Sequence, residues 1–388
     1  MRVTLASLDL FWIVNQARVL QSGGFLDHYF TTRVRPEVEG IQGELGTSCY
    51  PLHYLLRIMQ RWPRFVGGNH FYLQLCRGFD YWVRAQFPRQ TDILTILSGV
   101  GLQSFRAARA AGVITVVECG STHTDFQHEV VLAEFRRNGI NRPLFPKSYR
   151  DRVQAEFEEA DYIQIPSRFV GRTFIEHGIS EAKLLYSAYG VDQEKFKAKE
   201  ALRAEEPFRA ICSSGINLRK GARALMEAWR KLSWTDAELH WIGKPTADTA
   251  HLFRQKPRTV IMHEWMGHEE LSALYRGCDV FVLPSFEEGF ARVMLEAAAC
   301  GLPVIVTPNT GAQDFLSPDE PEGWLIPVND VDALCDSLIL AKQNRDRTFA
   351  LGQRAAQRAR AFTWDAYGER VLANYQRVLE CKANRPAV

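Results

Sequence analysis

The sequence predicts an α/β protein of two domains, and three observations carry this prediction. Its 388 residues exceed one ordinary domain and suit two domains of about 150–200 residues each. Apolar runs with the length of buried strands alternate with helical patterns, as in parallel sheets covered by helices. Residues 280–307 form the clearest βαβ unit, in which a strand, a polar loop and an Ala- and Leu-rich helix ending at Gly301 lead to a second strand.

The same patterns assign the other elements in order. In the first half, they predict strands at residues 3–7, 92–98, 113–118, 160–166 and 183–187, and helices at 102–111, 125–138 and 167–177. In the second half, they predict strands at 208–213, 239–243, 259–262, 280–283, 303–307 and 323–328, and helices at 222–232, 290–300, 330–343, 346–362 and 364–381. Residues 193–207 are charged and rich in Ala, Glu and Lys, which indicates a linker between the domains.

The composition argues against several classes of protein. The hydrophobic fraction of 46% is typical of globular domains, and the net charge of +2 provides no bulk attraction for nucleic acid. No apolar run approaches the ~18 residues that a membrane span needs, and no signal-type segment follows Met1. The eight cysteines form no Cys-x-x-Cys pair and none lies near a histidine at metal spacing, so we expect a reducing cytoplasm and no metal site.

Residues 57–87 interleave aromatic side chains with arginines, among them Trp62, Arg64, Tyr72 and Arg77. Two interpretations fit this pattern. The rings could fill a core while the arginine stems run over its edge, or rings and arginines could rest together on anionic lipid. The lack of a clean helical period favours the core, and a membrane surface is the alternative.

Gly99, Gly101 and Ser104 lie between a predicted strand and helix and nearly match the Gly-x-Gly-x-x-Gly pattern of dinucleotide sites. Glu118 ends the next strand, near where an acid would bind the ribose. A hydride-transferring dehydrogenase is therefore one alternative function. The final position is Ser rather than Gly or Ala, and short Gly pairs occur in many such turns, so this alternative is not favoured.

Glu288 and Glu296 lie on the loop and the helix of the βαβ unit. Ligands of open α/β sheets bind at the carboxyl ends of strands, beside the helix start where Glu288 lies. Free N–H groups there, from Gly289 to Arg292, suit an anion such as phosphate. Glu296 lies about two turns into an apolar helix, where an unpartnered carboxylate is costly, so a pair of ligand hydroxyls is a suitable partner.

A second loop, residues 214–221, joins a predicted strand to the helix at 222–232. Gly215 and Gly221 allow close approach to the backbone, and Arg219 and Lys220 bring two cations to the helix start. This combination predicts a diphosphate site, with a solvated turn as the alternative.

The motif Glu288-Gly289-Phe290, followed by Leu295-Glu296-Ala297 and Gly301-x-Pro303-Val304, resembles the Glu-x7-Glu signature of the retaining glycosyltransferases of family four. The resemblance extends over most of residues 208–330. It implies a GT-B fold, in which two Rossmann-like domains face each other across a cleft and a nucleotide-sugar binds to the C-terminal one. The implied domains are residues 1–195 and 196–363, and a helix within 364–388 crosses back to the first domain.

The same resemblance implies roles for individual side chains. Arg219 and Lys220 clamp the donor diphosphate with N–H groups of the helix start, Glu288 grips the sugar hydroxyls, and Glu296 binds the ribose. A nucleobase site is implied at residues 263–265. The implied donor-binding residues are Gly215, Arg219, Lys220, His263, Glu264, Trp265, Glu288, Gly289, Phe290, Ala291, Arg292 and Glu296.

Gly120-Ser121-Thr122-His123 follows a buried strand and resembles a cleft-facing segment of some family members, whose histidine meets the donor sugar. We therefore expect His123 to act in catalysis with Glu288, Arg219 and Lys220. Residues 189–192, Tyr-Gly-Val-Asp, resemble the turn that ends the first domain of the family.

The resemblance implies a retaining hexosyltransferase whose donor is a UDP- or GDP-linked sugar, with no further cofactor. No Asp-x-Asp motif is evident, so no metal is expected. The expected acceptor is a sugar, glycan or lipid-linked hydroxyl bound by the first domain, in glycan, polysaccharide or glycolipid synthesis. We expect a cytoplasmic protein whose first domain makes peripheral contact with a membrane. We expect no nucleic acid among its partners. A non-catalytic nucleotide-sugar-binding protein and a nucleotide-sugar hydrolase or epimerase are alternatives on the same scaffold.

Overall fold

The computed structural model describes residues 1–9, 12–33, 40–61, 68–88, 90–202, 207–319 and 321–384, with the backbone alone at residues 60–61 and 68–70. Two parallel sheets, each flanked by helices, account for these residues. This is the GT-B architecture that the sequence predicted.

The first sheet has seven parallel strands in the order β3-β2-β1-β4-β5-β6-β7. Its strands are β1 (Val3–Ser7), β2 (Leu26–Thr31), β3 (Gly46–Ser48), β4 (Ile93–Leu97), β5 (Ile114–Glu118), β6 (Tyr162–Ile165) and β7 (Leu184–Tyr186). Its helices are α1 (Ile13–Ser22), α2 (Tyr50–Arg61), α3 (Gly68–Gln86), α4 (Leu102–Ala110), α5 (Thr124–Arg137), α6 (Lys147–Glu159) and α7 (Arg168–Glu176).

The second sheet has six parallel strands in the order β10-β9-β8-β11-β12-β13. Its strands are β8 (Phe208–Cys212), β9 (Ala237–Ile242), β10 (Val260–His263), β11 (Val280–Leu283), β12 (Val304–Val306) and β13 (Gly323–Leu325). Its helices are α8 (Ala222–Leu232), α9 (His268–Arg276), α10 (Arg292–Ala299), α11 (Val331–Gln343) and α12 (Arg345–Ala359). The strand order reverses between β8 and β11, so their carboxyl ends form the crevice where such sheets bind ligands.

The last helix, α13 (Trp364–Ala383), packs on the first domain as predicted. Its Tyr375 hydroxyl bonds with Thr95 of β4 (2.6 Å) and accepts from Gln16 of α1 (2.5 Å). Gly368 lies so close to Val19 of α1 that a Cβ would come within 2.4 Å of that side chain. The chain that leaves the second domain is therefore fixed to the sheet of the first.

Helices α2 and α3 contain the described part of the aromatic and basic stretch. The inner faces carry Phe79 and Val83, which are fully buried, so the core interpretation holds there. The outer face of α2 exposes Tyr54 (62%) and Ile58 (41%) beside the exposed Arg57. Residues 62–67 of this stretch lie outside the described residues.

The described residues lack two features that would indicate other kinds of site. They contain no helix long and apolar enough to cross a membrane and no group of three or more His, Cys, Asp and Glu side chains suited to a metal ion. Seven of the eight cysteines are buried free thiols, and Cys381 is exposed.

Candidate active site

The two domains meet where the loop after β11 contacts the loop after β5. Gly289 packs directly on Gly120, so that a Cβ on Gly289 would lie 1.9 Å from the Gly120 carbonyl oxygen. Ser167 donates a hydrogen bond to the Gly289 carbonyl (2.6 Å). Glycine at position 289 is therefore required by this contact between domains.

Glu287 crosses this junction as a fully buried carboxylate. It accepts hydrogen bonds from the Thr122 N–H (3.2 Å), the Thr122 hydroxyl (2.8 Å) and the Gln127 amide (2.7 Å), all of the first domain. Arg219 of the second domain donates to the same oxygen, Oε2, that accepts from Gln127 (3.0 Å). Burial alone would raise the pKa of Glu287, but Arg219 and these hydrogen bonds outweigh burial and hold it below its usual range.

The loop before α8 brings Arg219 and Lys220 to the same place. Asn217 caps a short 3₁₀ turn by accepting from the Lys220 N–H (3.1 Å), and Gly221 then takes a left-handed conformation (φ 75°). A Cβ at Gly221 would lie 2.1 Å from the Pro284 carbonyl oxygen, so glycine lets this loop approach the loop after β11. Arg219 and Lys220 are thereby held beside the carboxylates of that loop.

The predicted cation pair and Glu288 do come together. Arg219 donates to the Glu287 carbonyl (2.9 Å) and lies 3.4 Å from a carboxylate oxygen of Glu288, with which Lys220 forms an ion pair. Lys220 is largely buried, and burial together with Arg219 lowers its pKa well below the usual value. A buried ammonium of this kind gains from any further negative charge, which a phosphate supplies.

Helix α10 begins at Arg292, two residues later than predicted. The Ala291 N–H is not available to an anion, because it donates to the Thr310 carbonyl (3.0 Å), which corrects its predicted role. Among the described residues, no acceptor faces the N–H groups of Gly289, Phe290 and Arg292. These three groups form the amino end of the helix beside Lys220.

Glu296 lies one turn after Arg292 on α10 and is half-buried. Burial raises the pKa of its carboxyl group, and Arg292 acts in the opposite direction. No described residue donates a hydrogen bond to this carboxylate. Glu296 therefore lies about one turn into the helix rather than the two turns expected, and its binding of ribose hydroxyls stays a prediction.

The predicted nucleobase residues, 263–265, begin at the last residue of β10, at the carboxyl edge of the second sheet. His263 bonds through its ring to His240 of β9 (2.9 Å), Glu264 pairs with Lys244 (2.9 Å), and Trp265 is 85% exposed. Gly215 follows β8 at the same edge, and a Cβ there would meet only the Asn217 amide at 3.4 Å. The structure thus places these residues at the expected edge of the sheet. Their contacts do not identify them as a nucleobase site.

His123 is turned away from the cleft, in contrast to its predicted catalytic role. It begins α5 as the N-cap residue, and its ring stacks on His177 (4.3 Å) and bonds with Gln154 (2.8 Å). The residue is 1% exposed, and burial and His177 lower its pKa to about 4. The ring points inward because α6 and α7 supply the aromatic and polar partners, whereas the neighbouring Thr122 faces the junction.

The Gly99–Gly101 turn is closed by the protein itself. The N–H groups of Gly99 and Gly101 donate to the buried carboxylate of Glu156 at 2.6 and 2.9 Å, while Asp80 accepts from the N–H groups of Gln103 and Ser104 in the first turn of α4. Glu118 is buried and bonds with Trp12 (2.5 Å) and Gln164 (2.5 Å). These contacts leave no phosphate or ribose site, which removes the support for a dehydrogenase.

Residues 192–360 match the family model described as glycosyl transferases group 1. An MMP alpha-(1->4)-mannosyltransferase of Mycolicibacterium hassiacum is 27% identical over 266 residues, 66% of this chain and 63% of that protein. The chain spans between 53% and 67% of the length of the first curated relatives it matches.

Solved structures match over almost the whole chain. A sucrose-phosphate synthase from Thermosynechococcus elongatus has a TM-score of 0.69 at 18% identity, covering 98% of this chain and 100% of its own. Anabaena HepE, solved in complex with UDP, has a TM-score of 0.69 at 13% identity, covering 97% and 100%. The chain therefore has the GT-B fold, and residues 192–360 of its second half are similar to glycosyl transferases group 1.

Proposed function

We propose that this protein is a retaining glycosyltransferase, which moves a hexose from a UDP- or GDP-linked sugar to an acceptor hydroxyl in glycan, polysaccharide or glycolipid synthesis. The observation that carries the proposal is the meeting of Arg219, Lys220 and Glu288 at the amino end of α10, at the junction of the domains. Departure of a nucleoside diphosphate needs positive charge placed where negative charge develops.

Each group has a part in that reaction. Arg219, Lys220 and the N–H groups of Gly289 and Phe290 bind the leaving diphosphate. When Lys220 turns to the phosphate, Glu288 is released to accept hydrogen bonds from the sugar hydroxyls, and Glu296 accepts from the ribose. The acceptor hydroxyl attacks the oxocarbenium-like centre from the face that the diphosphate leaves, and the diphosphate takes the hydroxyl proton.

Relatives support this choice over binding without turnover. A mannosyltransferase is among the similar proteins, and HepE has been solved with UDP and with UDP-glucose.

For the first domain, we propose peripheral contact with the inner face of a membrane in the cytoplasm. The exposed Tyr54, Leu55 and Ile58 beside Arg57 support this contact, since aromatic, aliphatic and basic side chains together favour an anionic lipid surface.

The test is a thermal-shift and calorimetric screen of UDP, GDP and their hexose conjugates, because a ligand of the folded state raises its stability by mass action. We expect one diphosphate and its sugar to raise the melting temperature, and mass spectrometry to find glycosylated acceptor. Release of free sugar alone would favour a hydrolase, and binding without any product would favour the non-catalytic alternative. No binding of either diphosphate would overturn the proposal.

A further inference from the structure

A cavity of about 580 Å³ opens in the first domain at the carboxyl ends of β1, β4 and β5. Aliphatic and aromatic side chains form most of its wall. They come from the end of β1, from α2, α3 and α6, and from the segment before α6, and include Leu8, Leu56, Met59, Tyr72, Phe145 and Tyr149. Its volume lies within the range of about 300–1,000 Å³ of small-ligand sites.

Several polar groups in this wall are already bound to protein partners. The contacts are Trp12 to Glu118 (2.5 Å), Asp9 to Arg33 (3.1 Å), and Thr122 and Gln127 to Glu287 (2.8 and 2.7 Å). A sugar held here would bury hydroxyl groups that have few groups to bond with, which costs free energy. An apolar group meets no such cost.

The cavity is continuous with the candidate active site, because Arg219 and Thr122 line its mouth. We infer that this cavity binds an apolar part of the acceptor, a hydrocarbon chain or an apolar ring attached close to the hydroxyl that receives the sugar. The inference rests on the proposed function for the identity of the ligand as an acceptor. The binding itself needs neither donor nor transfer, so it is measured separately.

The probe is N-phenyl-1-naphthylamine, a neutral fluorophore that brightens in apolar sites, bound to the full chain without nucleotide. Methyl, phenyl and octyl β-glucosides then compete, all below their micellar concentrations. Each buried methylene favours binding by up to about fourfold. We expect the octyl or phenyl compound to displace the probe at a concentration at least about tenfold lower than the methyl compound, and the stronger of the two identifies chain or ring.

Neighbouring residues of α2 provide matched variants. Leu56 lines the cavity and is 8% exposed, whereas Leu55 is 38% exposed on the outer face. We expect Leu56→Gln to weaken probe and glucoside binding at least about fivefold and Leu55→Gln to leave both unchanged. Met59→Gln, with Ile58→Gln as its control, repeats the comparison at a partly buried position should Leu56→Gln fold poorly.

Three results would overturn the inference: no displaceable probe binding, equal competition by all three glucosides, or equal loss in the inward and outward variants. The last would assign the probe to the outer face of α2. Failure of the proposed function has a different signature. If the proposed function is wrong, UDP and GDP will not bind, while the octyl or phenyl compound will still displace the probe.

Discussion

Arg219 and Lys220 are adjacent cations in different surroundings. Arg219 satisfies the buried Glu287, so removing it disturbs the junction as well as any ligand contact. Lys220 is largely buried with a lowered pKa, so its positive charge costs the free protein stability. At the scale of single residues, Lys220 is therefore the better test of the diphosphate site.

We expect Lys220→Met to weaken binding of the preferred nucleoside diphosphate by ~1.5–3 kcal/mol, the value of a hydrogen bond to a charged group. The free energy of unfolding of the free protein should change little. Methionine keeps most of the stem and removes a buried charge, which offsets the lost ion pair with Glu288, and Arg219 still lies 3.4 Å from that carboxylate. Calorimetry and urea unfolding measure the two quantities. Arg230→Ala, which removes a cation of α8 bonded to the Leu252 carbonyl, is the control. Unchanged affinity in both Lys220→Met and Arg219→Ala would contradict the clamp.

His123 has the contacts of a structural residue. We expect His123→Ala to lower the free energy of unfolding by about 2–4 kcal/mol through the cavity it leaves, and transfer to fall less than tenfold. Because the folded pKa of about 4 is below the usual histidine pKa of 6.5, the wild type loses stability as the pH falls from 6.5 to 4, and the variant loses less. Wild-type stability with a large loss of transfer would restore the catalytic role.

Glu287 shows what a sequence pattern cannot supply. It lies beside Glu288 in the same polar loop, and nothing in its neighbours distinguishes it. Its partners Thr122 and Gln127 are 165 and 160 residues away, so only the folded chain brings them together. Arg219, Lys220 and Glu288 were predictable because loops that follow parallel strands meet at one edge of the sheet.

Among single elements, the loop after β11 and helix α10 carry the two acidic residues of the motif, Glu288 and Glu296, and these should affect different parts of the donor. We expect Glu296→Gln to weaken binding of the whole nucleoside diphosphate, through the ribose. Glu288→Gln should lower turnover and binding of the intact sugar nucleotide more than binding of the bare diphosphate. Calorimetry with both ligands, alongside steady-state transfer, separates the two. Equal loss of the bare diphosphate in both variants would refute this assignment.

The Gly99–Gly101 turn is a loop whose long-range contacts the sequence pattern could not predict. Its glycines fit a phosphate-binding pattern, yet Glu156 on α6 occupies the N–H groups that a phosphate would need. Burial raises the pKa of Glu156 to about 7, opposed by Arg152 and these N–H groups. We therefore expect no change in nicotinamide fluorescence when NADH is mixed with the protein. Saturable enhancement would return the dehydrogenase to consideration.

At the scale of the whole molecule, the βα alternation and the motif were enough to predict two Rossmann-like domains and the returning helix. Strands β2 and β3 were not predicted, and they lie just before the aromatic and basic stretch of the first domain. Helices α2 and α3 bury one face and expose apolar groups on the other, which obscures the helical period. That same region forms the cavity wall, so the least predictable part of the chain is the one that would select the acceptor.

The buried carboxylate of Glu287 links the two domains. Four hydrogen bonds converge on Glu287, three of them from the first domain and one from Arg219. We expect Glu287→Gln to lower the free energy of unfolding by ~1.5–3 kcal/mol and to raise the radius of gyration in small-angle scattering, because a neutral amide cannot accept all of these bonds. Transfer should fall further than binding of nucleoside diphosphate, which needs the second domain alone.

The difference in stability between the wild type and Glu287→Gln should also depend on pH. Because the folded pKa of Glu287 is below the usual glutamate pKa of 4.5, its contribution to stability is complete above pH 4.5 and is lost as the pH falls through the folded pKa. The difference between wild type and Glu287→Gln should therefore shrink below about pH 4.5. Arg172→Gln, which removes an exposed bond between the domains to Gln313 (2.8 Å), is the matched control and should change little. If both variants scatter and unfold like the wild type at neutral pH, Glu287 does not hold the domains closed.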